Sequence, residues 1–221
     1  MTFNFASLRA AWQRFASSGG NVRTIDLGVI QSLPKIGSSS EESGTPAPNI
    51  NYRPHYFCCA GSVGLDVEIV RRANALPSWF RAHGGYGLSA PREFLRFQPF
   101  PMKTCSNGGS PGPFRPTLLA AVANAPTYGG GIKIAPEAKL DDGKLDLCIV
   151  RAMDRFNLFC LFPTVYFGRH LIWQKVEYGQ TDRVSIETEI PLEVYADGEY
   201  VCRTPVEFRV AREALQVIVP E

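Results

Sequence analysis

The chain has 221 residues, 45% of them hydrophobic and 20% charged, the balance of a folded domain rather than of a disordered or fibrous chain. Its 23 basic and 21 acidic residues leave a formal charge of +2, too weak a bias to draw nucleic acid or another polyanion. No apolar run approaches the roughly 20 residues needed to span a bilayer, and Arg9 and Arg14 interrupt the N-terminus where a signal peptide would be apolar. Any membrane contact is therefore expected to be peripheral, and the location cytoplasmic.

In chain order, residues 3–16 predict a helix, because Phe5, Leu8, Trp12 and Phe15 recur at spacings of three and four and Gly19-Gly20 ends the pattern. Such a helix needs a partner surface for its apolar face. Residues 22–30 alternate as a strand does. Residues 31–54 are rich in Ser, Pro and Gly and predict a flexible insertion between two strands.

From Tyr56 the pattern predicts a strand, a glycine turn and a helix carrying Val67, Ile69, Val70 and Ala73. A second helix is expected at 88–97, a Gly/Pro loop at 104–116 and a strand at 117–125. MDRFNLFCLFPTVYFGRH predicts a helix up to Pro163 or beyond, and most of the last eighty or so residues predict strands. The fold class expected is mainly β with a few helices, arranged as an antiparallel β-sandwich.

Six cysteines stand at 58, 59, 105, 148, 160 and 202, with no Cys-x-x-Cys pair and no histidine at zinc-finger spacing. They are expected to be reduced and to serve as small core hydrophobes. The chain also lacks a Gly-x-x-x-x-Gly-Lys-Ser/Thr loop, a Gly-x-Gly-x-x-Gly turn, His-Glu-x-x-His and Gly-x-Ser-x-Gly. These absences count against a self-contained NTPase, dehydrogenase, zinc protease or typical hydrolase. A carbohydrate-binding sandwich would need an aromatic platform, and Trp12, Trp79 and Trp173 are scattered.

Three stretches carry chemistry. Gly129-Gly130-Gly131 permits close backbone approach to a ligand, although the same glycines describe an irregular loop before an edge strand; Asn124 before them suits a turn better than a substrate contact. Asp141-Asp142-Gly143 presents the Asp142 carboxylate with the carbonyls of Lys139 and Lys144, an oxygen set that a magnesium ion accepts; on spacing alone, a plain Asp-Gly hairpin is the commoner outcome. In EVYADGEYV, Asp197-Gly198 turns and Glu199 leaves the turn pointing outwards, where a carboxylate is either a general base for an alcohol or simply solvated.

Together, Asn124, Gly129–Gly131, Ala135-Pro136, Ala138, Asp142-Gly143-Lys144-Leu145 and Asp197-Gly198-Glu199 resemble, in order and style, the bacterial diacylglycerol kinase and lipid kinase family, which includes the sphingosine kinases. Arg23-Thr24-Ile25-Asp26-Leu27-Gly28 resembles the family's Arg-x-Ile-Asp-Leu-Gly strand, and Phe57 to Asp66 the strand and glycine turn that follow. The match runs from about residue 22 to Val219, with the Ser/Pro insertion as the main departure inside it.

The family's Gly-Gly-Asp-Gly-Thr and Gly-Thr-x-Asn-Asp segments, which hold the nucleotide, do not occur here. The resemblance therefore implies a C-terminal β-sandwich at 22–221, a remnant helix of the nucleotide-binding half at 1–21, and a chain inactive alone. It implies transfer of the ATP γ-phosphoryl group to a lipid hydroxyl at the membrane surface, with Glu199 as general base. A structural magnesium ion would sit on Asp142 and the Lys139 and Lys144 carbonyls. The partners expected are the lipid substrate, the missing half and a second copy of the chain; the rival reading is a non-catalytic lipid-binding β-domain.

Overall fold

The structure, a computed structural model, describes residue 16 and residues 22–34, 53–74, 94–129 and 131–219. Residues 3–15 of the helix expected at 3–16, most of the insertion expected at 31–54 and the start of the helix expected at 88–97 lie outside these residues. Residues 94–96 are helical.

The strands are β1 (Val22–Ser32), β2 (His55–Phe57), β3 (Ala60–Gly64), β4 (Phe100–Ser106), β5 (Arg115–Ala123), β6 (Leu145–Arg151), β7 (Val176–Thr181), β8 (Arg183–Thr188), β9 (Glu193–Ala196), β10 (Glu199–Arg203) and β11 (Val206–Ile218). Helix α1 (Leu65–Asn74) follows β3, and α2 (Arg155–Tyr166) follows β6, with a short 3₁₀ turn at His170–Ile172. The strands form one antiparallel sheet in the order β10-β9-β3-β5-β4-β8-β11-β1-β2, while β6 pairs with β5 and β7.

That sheet curls on itself. Strands β3 and β11 are four places apart in it, yet a Cβ at Gly61 of β3 would lie 2.6 Å from the Phe208 ring of β11. The enclosed core holds Ile30, Phe57, Val63, Met102, Val122, Leu145, Ile186 and Phe208. Residue alternation fills a second layer on the other face of the central strands. On β5, Ala120 and Val122 point into the enclosed core, whereas Ala121 and Ala123 meet Leu65, Ile69, Leu158, Leu161 and Val165 from the two helices. A strand buried on both faces explains why TLLAAVA is continuously apolar. The architecture is the antiparallel β-sandwich expected, with helices on one outer face.

Gly28 is required by a close approach: a Cβ there would stand 2.0 Å from Phe57 Cζ. The Phe57 ring uses that space to meet Phe208 edge to face at 6.2 Å, a favoured aromatic geometry.

Several local expectations change. Strand β4 extends to Ser106, so the loop starts later than 104. All six cysteines are free, but only Cys148 is buried, and Cys58 and Cys160 are exposed. The pair Cys58-Cys59 occupies the bend between β2 and β3, not a strand. Burial pushes the Cys148 thiol up to about 12, so it stays protonated and inert. Asp142-Gly143 is not a hairpin turn: it leads into β6, whose partners are β5 and β7. Asp197-Gly198 is one, joining β9 to β10 with positive φ at both residues (47° and 90°), as a tight two-residue turn between twisted strands demands.

Candidate active site

The strand register brings both Asp-Gly turns to one end of the sheet. Ala196 pairs with Gly61, Ala60 with Ala123, Ala123 with Asp146, and Asp146 with Gln180. These residues form a row across β9, β3, β5, β6 and β7. Asp197 follows its first member and Asp142 approaches its last, where Gln180 Nε2 donates to Asp142 Oδ2 at 3.3 Å. From β9 to β6 is three strand spacings, about 14 Å along the sheet.

A relay of hydrogen bonds ties the turns together. Asp197 accepts the N–H groups of Cys58 (2.7 Å), Cys59 (2.9 Å) and Ala60 (3.2 Å). Asn124, fully buried, donates its amide to the carbonyls of Cys58 (3.1 Å) and Asp26 (2.9 Å). The Asp26 N–H donates to the Leu140 carbonyl at 2.6 Å. The Asp26 carboxylate in turn accepts the N–H groups of Gly143 (2.7 Å) and Glu213 (2.8 Å). Asn124 is thus a clamp between two backbone segments.

Asp142 is half-exposed, and besides Gln180 its carboxylate accepts the Lys144 N–H at 3.1 Å. Close by, Asp146 is fully buried; its Oδ1 accepts the Tyr178 hydroxyl at 2.6 Å, while its Oδ2 has no partner. Burial, and then the charges of Asp142 and Glu137, push the Asp146 carboxyl up. An all-oxygen set with one uncompensated buried carboxylate oxygen suits a hard cation such as magnesium. No three His, Cys, Asp or Glu side chains converge on one point among the described residues. A cation at Asp142 would therefore draw on backbone carbonyls and water, a role open to the exposed Lys139 and Lys144.

Glu199 is exposed at the start of β10, opposite Ala196. Beside its hairpin opens a cleft of about 140 Å³ lined by Ser62, Asp66, Tyr128, Tyr195, Asp197 and Gly198. Glu199 lies beside this cleft rather than in its lining, near enough for its charge to raise the Tyr195 hydroxyl, whose rise is due first to burial.

Sequence reasoning missed the group at the back of the cleft. Asp66, in the first turn of α1, is buried and accepts the Ser62 hydroxyl at 2.7 Å; the Tyr128 hydroxyl lies close enough to act on its charge. Burial pushes the Asp66 carboxyl up against the pull of these hydroxyls, and burial followed by the Asp66 charge pushes the Tyr128 hydroxyl well up, so that it stays a donor. The available signal was an acidic residue two positions after Gly64, between Leu65 and Val67.

Asp66, Val70, Tyr128 and Gly129 also line a second cavity of about 60 Å³, walled otherwise by residues such as Ile69, Leu118, Leu158 and Val165. Its fully buried His170 holds the Ile134 carbonyl at 3.0 Å through Nε2 and leaves Nδ1 without a partner; burial pushes the ring's pKa down. Of the three glycines at 129–131, Gly129 therefore does border a cavity. A cleft with polar lining groups and an apolar cavity thus share a wall, and the cavity has room for about four water-sized groups.

The model of the YegS C-terminal NAD kinase beta sandwich-like domain matches residues 60–219. A diacylglycerol kinase of Mycobacterium tuberculosis is 30% identical over 202 residues, which cover 91% of this chain and 59% of that protein. A diacylglycerol kinase of Bacillus subtilis is 27% identical over 104 residues, 47% of this chain and 34% of that one. Among solved structures, a diacylglycerol kinase from Bacillus anthracis superposes with a TM-score of 0.60 at 16% identity, over 97% of this chain and 59% of that one. The chain thus spans less than two thirds of the length of these relatives.

Proposed function

Because the chain belongs to the family of YegS C-terminal, NAD kinase beta sandwich-like domains, we propose that it forms the lipid-side wall of an ATP-dependent lipid kinase. The acceptor is the hydroxyl of a diacylglycerol or similar lipid. The observation that carries this reading is the juxtaposition of a carboxylate-bearing hairpin with a cleft lined by polar groups and, sharing a wall with it, an apolar cavity. A phosphate ester is made from a molecule that is wet at one end and oily at the other, and such a cleft sorts the two ends.

In this mechanism the lipid hydroxyl lies beside the Asp197-Gly198 turn. The three N–H donors on Asp197 fix the turn, and the turn fixes the start of β10. Glu199 takes the hydroxyl proton as the oxygen attacks the γ-phosphorus and the bond to ADP breaks. Ser62 and Tyr128, backed by Asp66, orient the polar linkage next to the hydroxyl. The apolar cavity seats the first few methylenes. Magnesium, held by Asp142 with the Lys139 and Lys144 carbonyls, would organise charge at the neighbouring turn. ATP binds in the part of the relatives that this chain does not span.

The test is Glu199→Gln in the full-length enzyme. Turnover of diacylglycerol with Mg-ATP should fall by roughly 10²–10⁴, with the melting temperature and lipid binding unchanged. Undiminished turnover would remove Glu199 from the mechanism, and lipid binding without any turnover in the wild type would leave a binding module.

A further inference from the structure

We propose that the outer face of α2, with the 3₁₀ turn after it, docks on an anionic lipid bilayer. Along α2, Phe156, Phe159, Cys160, Pro163 and the C-cap Phe167 share one stripe at helical spacing. Phe156 is 76% exposed, Phe167 74% and Ile172 of the 3₁₀ turn 82%. The opposite stripe, Leu158, Leu161 and Val165, is buried and walls the apolar cavity. A surface helix that is apolar on both faces has a second surface to cover.

Charge selects the occupant. Exposed Arg155 precedes this stripe, and exposed Arg169 and Lys175 bracket the 3₁₀ turn. Exposed Lys133 adjoins through its N–H on the Val165 carbonyl. The acids near this face include Asp154, which caps α2 through the Asn157 N–H, Glu137 beside Pro136, which packs near Gly168, and Glu177, paired with Arg115 and Arg151. Aromatic side chains in the plane of the headgroups, flanked by cations, describe an interfacial helix on anionic lipid.

This docking rests on the lipid-kinase reading and deepens it. The cavity under α2 takes only a few methylenes, so the rest of an acyl chain must stay in the bilayer, and α2 separates the two.

The experiment is co-sedimentation of this chain with phosphatidylcholine vesicles, with and without phosphatidylglycerol. The wild type should bind the anionic vesicles at least tenfold more strongly. Phe156→Ser/Phe167→Ser/Ile172→Ser should lose that binding at least tenfold with an unchanged melting temperature. Arg155→Gln/Arg169→Gln/Lys175→Gln, which leaves packing untouched, should lose the preference for anionic lipid. No vesicle binding by the wild type, or binding by either variant equal to that of the wild type, overturns the proposal. So does a wild-type dimer that the serine variant splits without any vesicle binding, which would assign the face to a second copy. Sedimentation requires no phosphoryl transfer, so a failed kinase reading leaves it readable. Phosphorylation of a dispersed short-chain diacylglycerol by the full-length enzyme tests that reading without a membrane.

Discussion

Asp26 and Gly143 stand 117 residues apart and are joined by a 2.7 Å hydrogen bond from the Gly143 N–H to Asp26 Oδ2. Through it, strand β1 holds the turn that carries Asp142. Gly143 adopts φ = 70° there, a conformation that favours glycine. Asp26→Ala orphans the N–H groups of Gly143 and Glu213, at about 1–3 kcal/mol each. The expected loss in urea unfolding is about 3 kcal/mol, with a smaller loss for Asp26→Asn, which keeps one acceptor. A loss below about 1 kcal/mol would show that the two donors find water.

Gly28→Ala should be destabilising by about 1–3 kcal/mol, because the Phe57 ring already occupies the position of the new methyl. Phe57→Leu should recover part of that loss when combined with it, although each change alone destabilises. A double-mutant cycle measures the coupling, and additive losses would mean that the ring moves aside freely.

Asp66→Asn should stabilise the fold at pH 7 while weakening lipid binding. Burial raises the folded pKa of Asp66 above its unfolded value. The carboxyl is therefore most favourable to folding below the unfolded pKa of about 3.9 and less so as pH rises through the folded one. Asparagine does not ionise and can still accept from Ser62. The stability difference should shrink as pH falls towards 4, which thermal melts across pH would show; a difference independent of pH would contradict the assignment.

His170 should make the fold sensitive to mild acid. Burial lowers its pKa in the fold, so below the unfolded value of about 6.5 the unfolded chain binds a proton that the folded one resists. Stability should therefore decline as pH drops below about 6.5. In His170→Gln this part of the pH profile should flatten, whatever the change in absolute stability. A wild-type profile flat between pH 7 and 5 would show that Nδ1 is protonated inside the fold at little cost.

The sequence by itself determined what depends on neighbours along the chain. The spacing in RFNLFCLFPTVY gave α2, which runs three residues past Pro163. Alternation gave the strands after residue 145, and Asp197-Gly198 gave its hairpin, since a two-residue turn needs only its own dihedrals and flanking strands. The motif order indicated the family as well. What tertiary structure alone decided involves partners far apart in sequence. Asp142-Gly143 carries the same two letters as the real hairpin but leads out of a loop held by Asp26, and no window of a few residues contains that bond. Asn124 resembled a turn residue because its two carbonyl acceptors, 66 and 98 residues away, become neighbours only when β1, β3 and β5 meet. Asp66 was passed over for the same reason: its burial and its nearness to Tyr128 exist only once α1 closes over β5. Cysteine burial also escaped the sequence, because a thiol is small enough to pack in a core or stand on a surface: the helices packed on the sheet cover Cys148, while the bend after β2 and the outer face of α2 leave Cys58 and Cys160 exposed.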